Sequence, residues 1–518
     1  MSVSPVEPEK LRRAAWPAVL AFAAILLGGL VVRASYSSRP VFVPDEEITL
    51  AVVGHMRQSG DWDTNWAKAA DLSAGLRYDQ YNFSSQLYAT YFFYRAVKAM
   101  PGTLAWRSVD DGLNVYRLCS VLLATLALWL TMSVARRLGG AAAMIGAGIL
   151  TALSVQLVQD AHYLRPEAFV TALTVAAVGF CWPREKFRAS ATMAGAFAIG
   201  LLIACKVSML LLAWLPLVPI LHGWKQTPGR ARWLALGIFP LVIALGFAAG
   251  APGAVAHPGK FLFGVRQLAT QYGGMHPPHS HLDGSATWDM LGRYFGATFG
   301  WPLLLAGVVG AGFLIARRRW SELAVLGGPV VLFAGYFATK SVFFERNLSH
   351  VLPLWFILSA FGAMALAEAI AARLRMAACI MIAMLFVGLA WRPARLTRRL
   401  VWTEFSGRGF ERNQAFAQQQ RARYPDAEPL ASSLLVAQSL EPIAQHFRAS
   451  SAPVILRVSD YRDEWTAACL RQLEARFEAQ VVAENAGSFP EVPTSTLLTY
   501  HSCQESYFLI TKPRATRK

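Results

Sequence analysis

Ionisable side chains are scarce in this sequence, and a few groups of them stand where they could do chemistry. Asp45, Glu46 and Glu47 lie together in RPVFVPDEEITLAV, just after an apolar run. Arg165-Pro166-Glu167 follows Asp160 and His162 in QDAHYLRPE. Lys206 interrupts the apolar run GLLIACKVSMLLLAWLPL, and Lys340 and Arg346 lie in TKSVFFERNLSHVLPLW. A carboxylate can take a proton from an attacking hydroxyl. Arginine and lysine can hold a phosphate and stabilise the charge that grows on it as it leaves. Each group also has a plainer reading. The acids would suit a helix N-terminus through the macrodipole, Lys206 could snorkel, and Lys340 and Arg346 could be juxtamembrane anchors. The choice turns on whether the elements that carry them bring them to one place.

Those elements are membrane spans. A length of 518 residues would ordinarily suggest about three soluble domains of ~150 residues. Yet 55% of the residues are apolar and only 16% charged, well below the ~25% charged residues of soluble proteins. The mean hydropathy of +0.36 agrees. A soluble enzyme and a disordered chain are both excluded. Bilayer cores of ~30 Å need about 20 apolar residues per helix. Eleven stretches qualify: 15–33, 113–135, 140–158, 167–183, 189–205, 207–222, 233–252, 294–316, 322–339, 349–370 and 376–391. The first lacks a small-residue cleavage site and is too long for a removable signal peptide. The aromatic stretch 83–97 is too short to cross and is expected on the membrane surface or re-entering it.

Charge orients the spans. Lys10, Arg12 and Arg13; Arg136 and Arg137; Arg184, Lys186 and Arg188; Lys225, Arg230 and Arg232; Arg317, Arg318 and Arg319; and Arg373 and Arg375 all fall on one side. Short basic loops mark the cytoplasmic face. The net charge of +17, from 49 basic and 32 acidic residues, is therefore largely a topology signal, and nucleic acid is not needed to explain it. The N-terminus is cytoplasmic on this reading. The long outer loops 34–112 and 253–293, and all the chemistry-bearing groups above, face the other side. Basic Lys206, Lys340 and Arg346 break the charge rule there, a reason to give them a function.

Residues 425–518 form a different unit. Apolar runs shorten to strand length at 433–439, 452–459, 479–485, 495–500 and 506–511, with helical patterns at 440–448 and 464–477. This alternation predicts a small extracytoplasmic α/β domain, joined to the membrane part (1–391) by a polar helical segment, 392–424. An oxidising compartment would allow Cys469 and Cys503 to pair; two buried free thiols are the other option. Cys119, Cys181, Cys205 and Cys379 lie in apolar stretches and read as packing residues.

The second outer loop holds QYGGMHPPHSHLDG, with His276, His279, His281 and Asp283 in one run. Histidine with carboxylate can bind a divalent metal. Pro277 and Pro278 prevent the helical spacing that would align them, and Gly273, Gly274 and Gly284 favour instead a mobile loop that closes over substrate.

The order of these motifs resembles the GT-C superfamily of integral-membrane glycosyltransferases, in particular the branch of protein O-mannosyltransferases and lipid A aminoarabinose transferases. Its Asp-Glu pair in the first outer loop is matched by Asp45-Glu46, and its Arg-Pro-acid motif by Arg165-Pro166-Glu167. The run GLLIACK ends at Lys206, and Lys340, Arg346 and Pro353 follow the family's later basic motif, with Asn347 in place of tyrosine. The family's Tyr-Asn-x-Pro-Pro run is here Tyr81-Asn82-Phe83-Ser84-Ser85. The resemblance covers residues 10–400 or so and implies a GT-C-like α-helical polytopic fold of about eleven transmembrane helices in the inner membrane. It also implies inverting transfer of a sugar from a polyprenyl-phosphate donor to an acceptor hydroxyl on a glycan, lipid or protein. Asp45 would be the base, with Glu46 assisting acceptor placement or supporting Asp45. Lys340, Arg346, Lys206 and Arg165 would hold the donor phosphate. Glu167, Asp160, His162, Tyr81, His276 and His279 would lie near substrate.

Other functions fit less well. A ligase using a diphosphate-linked donor would gather its cations in one large outer loop. A phosphoethanolamine-type transferase would carry a metal-rich soluble domain. A transporter or flippase would place ionisable groups near the bilayer midplane and repeat its halves. A scaffold that only displays the C-terminal unit leaves the acid–base groups unexplained.

Overall fold

The apolar stretches fold as helices because the bilayer forces backbone groups to pair within each segment. The computed structural model describes residues 8–38, 43, 45–100, 113–224, 229–371, 375–431 and 440–514. Six helices are long and apolar enough to cross a membrane, or seven if the pair Trp288–Phe299 and Trp301–Ala316, bent by 103°, is one span. Three further apolar helices, Glu167–Phe180, Ala189–Cys205 and Val207–His222, are shorter. The protein is thus a multi-pass, mostly helical membrane protein.

The first part runs through α1 (Pro8–Ala34), α2 (Glu46–Ser59), α3 (Ser84–Ala99), α4 (Leu113–Ala152), α5 (Val155–His162), α6 (Glu167–Phe180) and α7 (Ala189–Cys205). Helix α4 unites the stretches predicted at 113–135 and 140–158, with a break at Gly139-Gly140 where Gly140 adopts φ +67°. A side chain is strained at that φ, so glycine is what lets the chain turn there. The first outer loop is itself structured: α2 and α3 pack together over a buried cluster that includes Val53, Met56, Leu87 and Tyr91. The stretch predicted to skim or re-enter the membrane is thus α3, which buries one face in that cluster. Helix α7 meets the helix Gly229–Gly250 at Gly200 and Gly246, where a methyl on either would collide with the facing backbone. Close backbone approach of this kind drives helix association in lipid.

The C-terminal unit carries a four-stranded sheet in the order β1-β2-β4-β3: β1 (Glu428–Ala431), β2 (Val454–Asp460), β3 (Phe477–Asn485) and β4 (Gln504–Pro513). β1 pairs parallel with β2, while β4 runs antiparallel to both neighbours. The helices Glu441–Ala449 and Glu464–Arg476 lie close to the patterns predicted for them, and Ile443 and Leu473 join Leu456, Phe477 and Phe508 in the core of the unit. The strand predicted at 433–439 lies outside the described residues, as do Lys225 and Arg373.

One expectation is corrected, and of the two options left open for Cys469 and Cys503 the structure has the second. STLLTY, read as a strand, is the short helix Thr496–Tyr500. Its Leu497 and Leu498 are buried in the same apolar core as the membrane helices, and Glu345 accepts a hydrogen bond from the Thr496 backbone N–H (2.6 Å). Cys469 and Cys503 are free thiols. Cys469 packs against the sheet's own core, whereas Cys503 belongs to the core shared with the membrane helices.

Candidate active site

Asp45 occupies the N-cap position of α2, yet its side chain makes no capping bond. The carboxylate, 34% exposed, turns instead to Arg346, with which it forms a close ion pair, and to Arg165 Nη1 at 3.9 Å. Asp45 still stands where the macrodipole favours an acid, but its carboxylate is not spent on capping the α2 backbone.

Glu46 faces the other way. It is buried and receives Arg117 Nε (2.9 Å) and Nη2 (2.7 Å), and its Oε1 accepts the Leu164 N–H at 2.8 Å. Thr49 Oγ1 donates to the Leu164 carbonyl (3.3 Å). Of the two roles expected of Glu46, acceptor placement and support of Asp45, these contacts fit the second: Glu46 and Thr49 grip Leu164, the neighbour of Arg165.

Arg165 is almost wholly buried among carboxylates. Its Nη2 bonds Asp160 Oδ1 at 3.1 Å, and its Nε lies 3.4 Å from Glu167 Oε2. Nε and Nη1 have no hydrogen-bond partner among the described residues. Pro166 opens α6, its carbonyl accepting the Val170 N–H (2.8 Å), which places Glu167 at the first turn. Lys206 follows the last residue of α7 and pairs with Glu167 Oε1 at 2.8 Å. Arg346 sits on the 3-10 turn Glu345–Val351 before the helix Leu352–Ile370, its guanidinium 4.5 Å from the Phe344 ring centre.

The order Asp45, Arg165, Glu167, Lys206 and Arg346 read from the sequence thus converges in space, with Asp160 behind Arg165. Lys340 stands apart, its Nζ 4.5 Å from the centre of the Tyr336 ring and in no ion pair among the described residues. His162 is buried and stacks on Phe405, its ring nitrogens 2.7 Å from the Val158 carbonyl and 2.9 Å from the Ser35 carbonyl, one of which accepts its N–H. Tyr81 reaches Asp63 at 3.5 Å and packs with Ala204 and Ala254, away from the cluster.

His276 and His279 stack at 6.0 Å and both lie against Phe344, the neighbour of the Arg346 turn. His281 is taken by Asp289 (2.8 Å) and Glu464 (2.9 Å), and exposed Asp283 caps the Ser285 N–H at 2.9 Å. The four do not converge, and no group of three or more metal-ligating side chains is assembled among the described residues. The loop is pinned as well: Trp465 Nε1 donates to the Ser280 carbonyl at 2.6 Å.

Sequence reasoning missed Tyr500. Its hydroxyl accepts from Arg346 Nη1 at 3.0 Å and donates to Asp45 Oδ2 at 3.3 Å. Nothing in STLLTY signals this, because a strand would have pointed the residue by alternation only.

Charges are matched within the cluster, and the electrostatics follow. Burial pushes the Asp45 carboxyl up, but Arg346 and then Arg165 outweigh it and hold it below its ordinary value. Asp45 is therefore ionised at neutral pH. Burial, then His276 and Arg346, lower His279 to about 3, so that it is neutral there.

No family model matches the sequence, and no curated protein matches it. Solved structures do share its fold. ArnT from Cupriavidus metallidurans in the apo state is 15% identical over 96% of this chain and 98% of that one, with a TM-score of 0.50. The same protein bound to undecaprenyl phosphate is 15% identical over 94% and 97%, with a TM-score of 0.51. The archaeal oligosaccharyltransferase AglB from Archaeoglobus fulgidus, in complex with an inhibitory peptide and a dolichol-phosphate, is 12% identical over 75% of this chain and 56% of that one, at 0.50. These likenesses show that the chain shares the fold of those proteins.

Proposed function

We propose that this protein transfers a sugar from a polyprenyl-phosphate donor to an extracytoplasmic acceptor hydroxyl, with inversion. The observation that carries this reading is the partly exposed Asp45 carboxylate set against Arg346 and a buried Arg165 whose Nε and Nη1 have ion-pair neighbours but no hydrogen-bond partner among the described residues. Asp45 would take the proton from the acceptor hydroxyl as its oxygen attacks the anomeric carbon. The bond from that carbon to the phosphate oxygen would break on the opposite face, its electrons leaving on the phosphate. Arg346, Arg165 and Lys206 would stabilise that charge. Lys340 is left outside this first contact. Glu46, Asp160 and Glu167 hold the cations and loops in place.

Two of the structures that share the fold hold undecaprenyl phosphate and a dolichol-phosphate, which supports a lipid-linked donor. The proposed placement is the inner membrane, with a cytoplasmic N-terminus and the site and C-terminal unit outside. Mass spectrometry of envelope glycans and polyprenyl phosphates from cells with and without the gene tests this. One lipid-linked sugar should accumulate and its glycan product disappear, and Asp45→Asn should reproduce the loss. An unchanged lipid-linked pool would sink the reading.

A further inference from the structure

The C-terminal unit touches the candidate site through one short segment that is bonded to the membrane part at nearly every turn. Thr496 Oγ1 accepts from Gln159 (3.1 Å), and its backbone N–H is held by Glu345 (2.6 Å). Thr499 Oγ1 meets His279 Nε2 at 3.2 Å, and His501 meets the Tyr163 hydroxyl at 3.3 Å. Ser502 N–H bonds Glu404 at 3.0 Å. Simple docking of a domain does not need its smallest helix seated among buried polar groups. What this seating achieves is the placement of one phenol.

The Tyr500 hydroxyl accepts from Arg346, so its own proton is free for Asp45 Oδ2 at 3.3 Å. Its ring also faces Arg165, whose guanidinium lies 5.7 Å from the ring centre. We infer that Tyr500 is a positioning residue for Asp45, supplied to the membrane-embedded site by the C-terminal unit, and that the docked unit is a condition of catalysis. This rests on the proposed role of Asp45 as the base. A hydrogen bond to the ionised carboxylate fixes its orientation toward the acceptor and favours the charged form. When the donor phosphate takes up Arg346, Tyr500 is the group that still holds Asp45.

The test uses the full-length protein in nanodiscs and two probes. Undecaprenyl phosphate reports binding. The lipid-linked sugar extracted from cells lacking the gene reports transfer, as a function of pH. Tyr500→Phe keeps the ring and loses only the hydroxyl. It should bind undecaprenyl phosphate within about twofold of the native protein, since the cations are untouched. Transfer should fall ~10-fold or more, within the range of a perturbed general base, and the acid limb of the rate profile should move to higher pH. Native-rate transfer overturns the inference. So does a fall in transfer matched by an equal loss of binding with an unmoved acid limb, which would make Tyr500 a packing or phosphate-binding residue. A native protein that binds no undecaprenyl phosphate and uses no lipid-linked donor overturns the functional reading and this role with it.

Discussion

At the scale of single residues, the candidate base and a candidate phosphate ligand neutralise each other. Asp45, Asp160 and Glu167 face Arg165, Arg346 and Lys206. Asp45 is the most exposed of these carboxylates, at 34% against 2% and 4%, so an incoming phosphate would meet the Asp45–Arg346 pair first. Releasing Asp45 from Arg346 would free the base for the acceptor at the moment the donor arrives. Asp45→Asn should therefore abolish transfer and yet bind undecaprenyl phosphate more tightly. The partial exposure of the pair screens it, so the gain should be about tenfold, equivalent to ~1.4 kcal/mol. Titration of the purified protein with undecaprenyl phosphate decides it. Weaker binding by Asp45→Asn would mean that Asp45 helps to hold the donor rather than compete with it.

At the scale of elements, Glu46 fastens the N-terminus of α2 to α4 through Arg117 and to the Arg165 loop through Leu164. Removing one partner of a buried pair leaves the other uncompensated, at a cost of ~3–5 kcal/mol. Glu46→Gln should lower the melting temperature markedly in detergent, whereas Asp45→Asn, next door, should leave it nearly unchanged. Equal melting temperatures would show that Arg117 finds another partner. The contrast also marks what was legible in the sequence. Asp45 and Glu46 are adjacent acids after an apolar run, and one-dimensional pattern cannot say which turns to the site. That the chain crosses a membrane several times was legible because apolar length is a property of the chain itself. Against the eleven stretches, though, only six or seven helices among the described residues are long enough to span. The gathering of Asp45, Arg165, Lys206 and Arg346 was legible too. Tyr500 was not. Its role depends on the seating of Thr496 against Glu345, 151 positions earlier, and no local signal carries a contact of that span. The sequence also could not show that the Lys340 ammonium lies over the ring of Tyr336.

At the scale of the whole molecule, the C-terminal unit and the second outer loop are joined through His281. The ring lies between Asp289 Oδ1 (2.8 Å) and Glu464 Oε1 (2.9 Å), and Arg293 bonds the other Asp289 oxygen at 2.6 Å. Leu282 N–H adds a bond to Glu464 (3.2 Å). Burial opposes charge on His281, but the hydrogen bonds that the ring donates to Asp289 and Glu464 prevail and hold its value above the ordinary 6.5. A group whose value rises on folding contributes stability that is fully present below its unfolded value and is lost as pH climbs through the folded one. The contact should therefore be firm at about pH 6 and loosen at about pH 8, on either side of the ordinary histidine value. Hydrogen exchange, corrected for the intrinsic pH dependence of the rates, should show the first turn of the helix Glu464–Arg476 and residues 279–284 less protected at the higher pH. His281→Gln can still hydrogen-bond but cannot charge, so its protection should be the same at both. If the native protein showed no pH dependence, or the glutamine variant kept it, the histidine would not be what couples the two parts. Because the same unit carries Tyr500, a looser contact should also appear as a slower transfer at the higher pH, and the glutamine variant should lose that slope.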